Sequence, residues 1–309
     1  MTAGTVAVAG GAGFIGGAIA RKLAEAAGAR VRVLSRDPER ARSRFKGRGV
    51  EFVRADVLDT ASLRAALKGV QAVIDAVQFE GYPIEDPRRG LTFERIDYGG
   101  AISLLQAAQT AGTLTKFVYI SGAGADENSA HPAFRAKGRA ERAIRESGIR
   151  FTIFRPSLVY GPGSRVIELL VKSLSWTPVF MVPGSGRQRL QPVFVGDLAA
   201  AVSLALEGCG DGGTFQIGGP EAMTFDEFIR LLMEITGRRR ALLHAPQSAL
   251  HLLGVAAESL PVGRRVFSRD AVEFLTADSV CDNGPLLREF KLSLTPPRQG
   301  LSYLAARSA

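Results

Sequence analysis

A glycine-rich turn between a strand-like run and a helix-like segment most constrains what this chain can fold into. Thr5–Ala9 is typical of a buried strand, and Gly13–Ala27 has the apolar spacing of a helix. Three glycines, three residues apart, permit a tight turn, close backbone approach to a pyrophosphate, and close packing of helix on strand. The helix N-terminus offers free N–H groups and a positive dipole end to phosphates. The predicted phosphate-binding residues are Gly10, Gly13, Phe14, Ile15 and Gly16.

Short apolar runs alternate with helical segments along the first 160 residues. The further strand candidates are Val31–Leu34, Val50–Val53, Ala72–Ala76, Phe117–Ile120 and Phe151–Phe154. The further helix candidates are Pro38–Phe45, Thr60–Lys68, Thr92–Ala111 and Pro132–Ser147. This alternation predicts an α/β fold with a doubly wound parallel sheet of the Rossmann type.

The alternation loosens after residue 160, where glycine and proline become frequent. The helix candidates there are Arg165–Trp176, Val195–Leu206, Thr224–Thr236, Pro246–Leu260 and Leu301–Ala306, and the strand candidates are Leu190–Phe194 and Thr214–Ile217. We therefore expect a nucleotide-binding domain over residues 1–160. A smaller α+β substrate lobe is expected over residues 161–309, intimately packed on that domain rather than independent of it.

The end of the second predicted strand favours NADP(H) over NAD(H) as the cofactor. NAD sites of this type place Asp or Glu there to accept hydrogen bonds from the ribose hydroxyls. Here Ser35 fills that position and Arg36 follows it. A guanidinium binds a 2′-phosphate bidentately and stacks on adenine, while a serine hydroxyl can donate to the same phosphate. Asp37 is expected to cap the next helix, with Pro38 in its first turn.

Residues after the third and fourth predicted strands complete the expected cofactor contacts. Asp56 stands where such folds often bind the adenine amino group; the equally weighted alternative is a loop carboxylate that caps the helix at Thr60. Ala76 and Val77, at the end of the fourth strand, are also predicted to contact the cofactor.

Four sequence blocks in this order resemble the extended short-chain dehydrogenases/reductases: Gly10–Gly16, Phe117–Ser121, Arg155–Pro162 and Gln191–Ala199. They span roughly residues 5 to 220. Within that superfamily the chain looks most like the atypical branch. That branch includes NmrA-like proteins and relatives of the NADPH-binding accessory subunit of respiratory complex I.

The resemblance implies a catalytic Ser or Thr together with Tyr and Lys on one helix face. Lys137 stands in the lysine position, where it would hold the nicotinamide ribose; the alternative is a solvated helix lysine. The tyrosine position holds Ala133, and the catalytic serine position holds Gly122. Ser121 takes the neighbouring, usually structural, serine position and is expected at the cofactor. Glu141 follows Gly138 by three residues. It is expected to form a solvated i,i+4 pair with Arg145 on the helix surface.

Another proton donor would have to replace the missing tyrosine. His131 precedes the vacant position by two residues and its ordinary pKa suits acid–base chemistry near neutral pH. The alternative role for His131 is that of a capping or surface residue. Tyr82, Tyr119 and Tyr160 are weaker candidates.

The substrate is less constrained than the cofactor. The resemblance places Pro156, Ser157 and Leu158 near the nicotinamide carboxamide. An apolar wall is expected from residues of the lobe, which suits a carbonyl compound, a quinone or a lipid-like molecule. These residues are Trp176, Val179, Phe180 and Met181.

Composition excludes several other classes. The formal net charge of +9 invites a nucleic-acid or anionic-membrane partner, yet the basic residues are scattered and match no nucleic-acid-binding motif. Two cysteines, Cys209 and Cys281, suit a reducing cytoplasm, and no motif predicts a metal site. No apolar run is long enough for a transmembrane helix. The segment Ala241–Val262 lacks Lys and Arg, so it lacks the basic face of a typical surface-seeking helix.

Two functions remain open from the sequence. The first is an NADP(H)-dependent oxidoreductase that protonates its product with a non-standard acid or water. The second is a non-catalytic NADPH-binding or redox-sensing protein that engages a partner such as a respiratory complex. The empty serine and tyrosine positions favour the second, and both require the glycine turn.

Overall fold

A computed structural model describes residues 4–25, 30–45, 49–246 and 277–307. Its strands are β1 Thr5–Ala9, β2 Arg30–Ser35, β3 Val50–Arg54, β4 Val70–Asp75, β5 Lys116–Ile120, β6 Phe151–Pro156, β7 Val159–Tyr160, β8 Val179–Pro183, β9 Arg189–Leu190, β10 Val193–Phe194, β11 Gly213–Ile217, β12 Met223–Thr224 and β13 Ala241–Ala245.

The first eight helices are α1 Phe14–Glu25, α2 Pro38–Arg44, α3 Thr60–Ala66, α4 Gly99–Thr110, α5 Pro132–Glu146, α6 Arg165–Trp176, α7 Val195–Leu206 and α8 Phe225–Ile235. Two short helices, Gly284–Phe290 and Pro297–Gly300, follow later in the chain. A π-helical turn, Phe93–Tyr98, leads into α4, and 3-10 turns span Pro87–Arg89 and Ser302–Arg307.

The central sheet has seven parallel strands in the order β11-β6-β5-β4-β1-β2-β3. The chain order reverses between β1 and β4, and this reversal opens a crevice at the carboxyl ends of the strands. The predicted doubly wound α/β fold is thereby confirmed. The seventh strand, β11, comes from the half of the chain that the sequence analysis placed in the C-terminal lobe.

Both faces of the sheet are buried, which explains the continuous apolar runs of its strands. In β1 the side chains alternate between two cores: Val6 and Val8 pack on the side of α1 and α7, and Ala7 and Ala9 on the side of α3 and α4. Helix α7 lies beside α1 in the layer over the first face. This helix therefore completes the nucleotide-binding layer, although it follows residue 160.

The remaining lobe has its own core, built from α6, α8 and the two-stranded parallel ribbon of β8 and β13. Strand β13 occupies the first residues of the segment that the sequence analysis considered as a surface helix. The predicted helix Pro246–Leu260 lies outside the described residues except for Pro246. The last two residues of the predicted helix Gly13–Ala27 also lie outside them. In the portion that is described, no helix is long and apolar enough to cross a membrane.

The predicted strand Leu190–Phe194 is divided into β9 and β10. Pro192 has no N–H to donate to a ladder, and Gln191 uses its side chain to bind Gly219. The predicted helix Thr92–Ala111 begins with the π-helical turn and becomes α-helical at Gly99. Such π turns are rare in proteins, and those that occur often lie at functional sites.

Candidate functional site

The glycine turn forms a tightly closed backbone cradle between β1 and α1. Gly10 has φ +74°, and a Cβ atom there would lie 2.3 Å from the carbonyl oxygen of Ala76. A Cβ on Gly16 would lie 2.4 Å from the carbonyl oxygen of Gly10. The N–H of Gly13 donates to that same oxygen at 2.9 Å. Only glycines fit this cradle, whose exposed N–H groups at the start of α1 suit a pyrophosphate.

A cleft of about 290 Å³ opens beside the cradle at the carboxyl ends of β1, β2, β3 and β4. It follows the crevice that the reversal of strand order creates. Six of its lining residues are Gly10, Ser35, Arg36, Asp56, Val77 and Phe79. Five of these were predicted from the sequence as cofactor contacts, and the fold brings them together around one space.

Two arginines face this cleft. Arg36 follows β2, and Arg40 lies four residues later in the first turn of α2, so both guanidinium groups line the same space. In the described part of the chain neither forms an ion pair. Sequence reasoning missed Arg40, because Arg36 precedes the helix cap Asp37 and helical spacing therefore does not relate the two residues.

The loop between these arginines is ordered by its own polar groups. The Ser35 hydroxyl donates to the carbonyl oxygen of Asp37 at 3.0 Å. The Asp37 carboxylate accepts from the N–H of Arg40 at 3.0 Å and so caps α2 as predicted. Asp37 also lines the cleft, and its carboxylate is directed to the N–H of Arg40, so two arginines and one carboxylate border this end of the cleft.

Asp56 lies in the cleft and does not cap α3. Its Oδ1 accepts from the N–H of Leu58 at 2.9 Å. The cap of α3 is Asp59, whose Oδ1 accepts from the N–H groups of Ala61 at 3.1 Å and Ser62 at 3.3 Å. The capping alternative for Asp56 is therefore wrong, and its carboxylate remains at the cleft.

Lys137 lies buried at the same edge of the sheet. Its Nζ is 3.5 Å from Oδ1 of buried Asp97 and 5.7 Å from the centre of the Tyr119 ring. A Cβ built on Gly122 would lie 3.5 Å from Cδ of Lys137. The alternative of a solvated helix lysine is therefore wrong. Asp97, which sequence reasoning missed, comes from the π-helical turn Phe93–Tyr98, where Glu94 and Arg95 are also charged, so no local pattern singled it out.

Two carboxylates in this region are held away from water. Burial raises the pKa of Asp75 from 3.8 to about 6, against the opposing effects of the Val77 N–H and Lys137. Burial likewise raises the pKa of Asp97 to about 6, and Lys137 partly offsets that effect. The site thus holds two groups that can exchange protons close to neutral pH.

We expect Asp75→Asn to stabilise the protein above neutral pH and not in acid. Between pH 3.8 and about 6 the folded state binds more protons at Asp75 than the unfolded state, so stability falls as pH rises through that window. The amide stays neutral and can still accept from Val77. Urea unfolding should show about 3 kcal/mol greater stability for the variant at about pH 7.5, and little difference at about pH 3.5. Parallel pH profiles for the two proteins would contradict this expectation.

The positions of the missing catalytic side chains are occupied by small residues. Ala133 is buried at the start of α5, and Gly122 adjoins Lys137. His131 caps α5, because its Nδ1 accepts from the N–H of Ala133 at 3.3 Å. Its Nε2 is buried and has no hydrogen-bond partner among the residues that the structure describes. This geometry corresponds to the capping role that the sequence analysis gave as the alternative for His131.

The tyrosine candidates occupy different surroundings. Tyr82 packs edge-on against Phe79 and Phe93 in the loop after β4. Burial, together with Asp97, raises the pKa of Tyr82 strongly. Tyr119 lies inside β5, and Tyr160 is fully buried in the core of the lobe. Of the three, Tyr82 and Tyr119 lie in the neighbourhood of the Lys137–Asp97 pair.

Glu141 organises the ends of β5 and β6 and is fully buried, so the expected solvated helix pair is wrong. It accepts from the Ser121 hydroxyl at 2.6 Å. It also binds Arg155 through two hydrogen bonds, at 2.8 and 2.6 Å, and pairs with Arg145. These contacts fix the side chain of Ser121, the residue before Gly122. They also hold α5, which carries Lys137, against the sheet.

The end of β6 reaches the same edge. The Ser157 hydroxyl donates to the carbonyl oxygen of Gln191, so it is engaged within the fold. The carbonyl oxygen of Pro156 accepts from the N–H of Ala123 at 2.8 Å, and that of Leu158 from the N–H of Val193 at 2.9 Å. Residues 156–158 therefore link the Rossmann sheet to the lobe beside the segment after β5.

The expected apolar substrate wall is wrong for most of its members. Trp176, Val179 and Met181 are exposed on the outer surface of the lobe, while Phe180 is buried in the lobe core. Val179 and Met181 are exposed and Phe180 is buried because successive side chains of β8 lie on opposite faces of the strand. Among the residues that the structure describes, no group of His, Cys, Asp and Glu could hold a metal ion.

Comparisons with known proteins agree with this geometry. The profile of a family described as NAD(P)H-binding matches residues 10–175. The chain is 27% identical over 296 residues to NADH dehydrogenase [ubiquinone] 1 alpha subcomplex subunit 9, mitochondrial, of Arabidopsis thaliana, which covers 90% of this chain and 71% of the relative. It is 30% identical over 240 residues to (4-alkanoyl-5-oxo-2,5-dihydrofuran-3-yl)methyl phosphate reductase of Streptomyces griseus, covering 75% and 74%.

Solved structures share the fold across the whole chain. An NADPH-dependent quinone oxidoreductase of Escherichia coli, complexed with NADPH, superposes with a TM-score of 0.73 at 20% identity. The match covers 97% of this chain and 99% of that one. At this identity the likeness concerns the fold.

Proposed function

Because this chain belongs to the NAD(P)H-binding family of Rossmann-fold oxidoreductase-type proteins, we propose that it is an NADP(H)-dependent reductase of an apolar carbonyl, quinone or enal. Its preference for NADP(H) is supported by Arg36 and Arg40, which face the cleft without carboxylate partners in the described part. Unpaired guanidinium groups suit a 2′-phosphate, whereas the ribose hydroxyls of NAD(H) call for a carboxylate.

The cofactor fits the residues of this edge. The glycine cradle, which any Cβ at Gly10 or Gly16 would fill, would take the pyrophosphate. Ser35 and the two arginines would take the 2′-phosphate, and Asp56 the adenine. At the other end Lys137 would hold the nicotinamide ribose. The flanking contacts would come from Ala76, Val77, Ser121, Pro156, Ser157 and Leu158.

Bound NADPH supplies a hydride from its nicotinamide ring. The residues of this chain must then deliver a proton to the reduced substrate. With Ala133 and Gly122 in the usual acid positions, the ionisable side chain beside the serine position is Lys137, whose Cδ would lie 3.5 Å from a Cβ on Gly122. Asp97, whose Oδ1 lies 3.5 Å from Nζ of Lys137, is the counter-ion that holds the ammonium in place, and a proton from solvent restores the ammonium after each transfer. We therefore assign proton delivery to Lys137, with Asp97 as its positioning residue.

The observation that carries this proposal is the buried Lys137–Asp97 pair. Burying two charges away from water is unfavourable. A protein with two hydrophobic residues of similar volume in place of a buried ion pair is often equally stable. The position of this buried pair beside Gly122, which fills the catalytic serine position, supports a chemical use for it. The free thiols of Cys209 and Cys281 support a reducing compartment such as the cytoplasm.

The second candidate is an NAD(P)H-binding subunit without turnover. It is favoured by the absence of an acid side chain at positions 122 and 133. The relative from Arabidopsis, named as a subunit of a mitochondrial NADH dehydrogenase, also fits a protein partner. The two candidates share the cofactor site and differ in whether reduced cofactor is consumed.

We expect the purified full chain to oxidise NADPH in the presence of some members of a panel of quinones, enals and aromatic ketones. The double variant Lys137→Met/Asp97→Asn removes the ammonium without leaving a buried carboxylate unpaired. It should lower the rate by about 100-fold or more, the usual contribution of a positioned acid. Absorbance of the reduced nicotinamide measures the rate.

Asp97→Asn alone is the matched control because it keeps the ammonium. It should bind NADPH within about threefold of wild type, since charge-assisted contacts of Lys137 remain. Tight NADPH binding with no turnover on any panel member would favour the second candidate. Equal rates for wild type and the double variant would remove Lys137 from the chemistry.

A further inference from the structure

The outer surface of the lobe carries a concentration of exposed apolar side chains. Of the nine large apolar side chains that are exposed in the described part of the chain, six lie on α6, β8 or β13. We call these six side chains the apolar patch: Val166, Leu169, Trp176, Val179, Met181 and Leu243. Isolated exposed apolar residues are ordinary, but a cluster of this kind marks an interaction surface.

The ribbon of β8 and β13 explains half of this cluster. Its register pairs Met181 with Leu243 and Val179 with Ala241. Phe180 and Val182, on the opposite face, fill the lobe core. The pairs on the outer face are exposed, with Met181 at 55% and Leu243 at 54%. A two-stranded ribbon that is apolar on both faces therefore has one face in contact with the protein core and one in contact with solvent.

Helix α6 extends the patch along its exposed side. Val166, Leu169 and Trp176 recur at helical spacing, while Ile167 and Leu174 point into the lobe core. Trp176 ends the helix and is 76% exposed. Thr177 turns the chain directly into β8, since its hydroxyl donates to the carbonyl oxygens of Ser173 and Val179. Trp176 thus stands where the helix meets the ribbon.

One cation lies over the Trp176 ring, and two arginines precede the neighbouring strand β13. Nζ of Lys172 lies 4.6 Å from the centre of the Trp176 ring. Arg239 and Arg240 immediately precede β13, and Nε of Arg240 donates to the carbonyl oxygen of Leu174 at 2.8 Å. In the described residues no carboxylate pairs with Lys172, Arg239 or Arg240. The carboxylate on α6 itself is Glu168, so the rim of the patch has an excess of positive charge.

We propose that the apolar patch and its cationic rim dock this protein on an anionic phospholipid surface. Apolar side chains and a tryptophan can enter the headgroup region, and Lys and Arg are attracted to anionic lipids. A second copy of the chain fits less well, because a contact between two such patches would bring two surfaces with the same excess of positive charge together. The docking is independent of the proposed reductase activity.

The chain contains one tryptophan, which makes Trp176 a native probe of this contact. Full-length protein is mixed with vesicles of phosphatidylcholine alone or of phosphatidylcholine with phosphatidylglycerol. We expect co-sedimentation and a blue shift of tryptophan emission with the anionic vesicles at low salt, and weak binding to phosphatidylcholine alone. Binding without a blue shift would overturn the proposal, because Trp176 would then remain in water.

Variants separate the two components of the contact. Lys172→Gln/Arg239→Gln should weaken vesicle partitioning by about 25-fold, at roughly fivefold per cation. Arg64→Gln/Lys68→Gln removes the same two charges from exposed positions on and next to α3, and it should change partitioning by less than about twofold because salt screens distant charges. Met181→Gln/Leu243→Gln should weaken it by about tenfold or more.

Two other results would contradict the proposal. A blue shift that appears with rising protein concentration in the absence of lipid would identify a second copy as the occupant. Equal partitioning of the two charge variants would show that net charge, rather than this surface, governs binding. Thermal unfolding of every variant, expected within a few degrees of wild type, shows that folding is intact, because surface substitutions have small effects on stability.

Discussion

Gly16→Ala is expected to remove NADPH binding at concentrations that saturate the wild-type protein. The new Cβ would lie 2.4 Å from the carbonyl oxygen of Gly10, so α1 and the turn must separate by about 1 Å to reach an ordinary contact. The N–H groups that would bind the pyrophosphate move with the turn. A misplacement of this size weakens a positioned contact by about 100-fold. Isothermal titration with NADPH measures the loss.

Gly17→Ala provides a closely matched control for this variant. It is the next residue of the same helix, and its Cβ would lie 3.3 Å from the carbonyl oxygen of Gly11, a contact that small shifts can relieve. Both substitutions gain about 1 kcal/mol of helix propensity. The expected difference in NADPH affinity therefore isolates the close approach at Gly16. Equal affinities for the two variants would exclude the cradle as the phosphate site.

Arg36→Ala/Arg40→Ala is expected to reverse the proposed cofactor preference. Each guanidinium can form charge-assisted hydrogen bonds to a 2′-phosphate, worth about 10- to 100-fold in affinity. NADPH binding should weaken by about 100-fold or more, while NADH, which lacks this phosphate, should bind nearly as before. Titration of both nucleotides, monitored by fluorescence of the reduced nicotinamide, gives the ratio directly.

Arg42→Ala is the control for charge removal in α2. Arg42 lies on the same helix, 3.5 Å from Glu39 and over the Phe52 ring, and it does not line the cleft. Its loss should leave the ratio of NADPH to NADH affinity within about twofold of wild type, because an exposed pair of this kind contributes little. An unchanged ratio in the Arg36/Arg40 double variant would refute the assignment of the 2′-phosphate to this cleft.

Local patterns predicted the Rossmann half well. Each of its six strands and five helices lies where the alternation of apolar runs and helical spacing placed it, because buried parallel strands and amphipathic helices leave distinct periodicities. The glycine turn was equally visible, since the three positions that exclude a side chain, Gly10, Gly13 and Gly16, recur every third residue. Several strands of the lobe were missed. The two-residue β7 and β12 leave no periodicity, and the five-residue β8 and β13 lack the alternation of apolar and polar residues that marks a half-buried strand.

The roles of residues whose partners are distant in the sequence were harder to predict. The spacing predicted an i,i+4 surface pair for Glu141. In the structure Glu141 is buried and forms an ion pair with Arg155 of strand β6. Lys137 could equally have been solvated, and its burial depends on Asp97, forty residues earlier in the chain. Charge pairs formed across the fold have no local signature, so spacing alone cannot identify them.

The amino-acid sequence by itself determined the doubly wound sheet, the glycine cradle and the arginine beside it, because each follows from interactions within a few residues. Only the tertiary structure decided that Lys137 and Asp97 share a buried pair, that Arg40 joins Arg36, and that β8 and β13 present a common apolar face. These arrangements depend on parallel strands and packed helices that bring distant segments together. The net charge of +9 illustrates the difference, since the sequence scatters its basic residues and only the fold shows that Arg36 and Arg40 line one cleft.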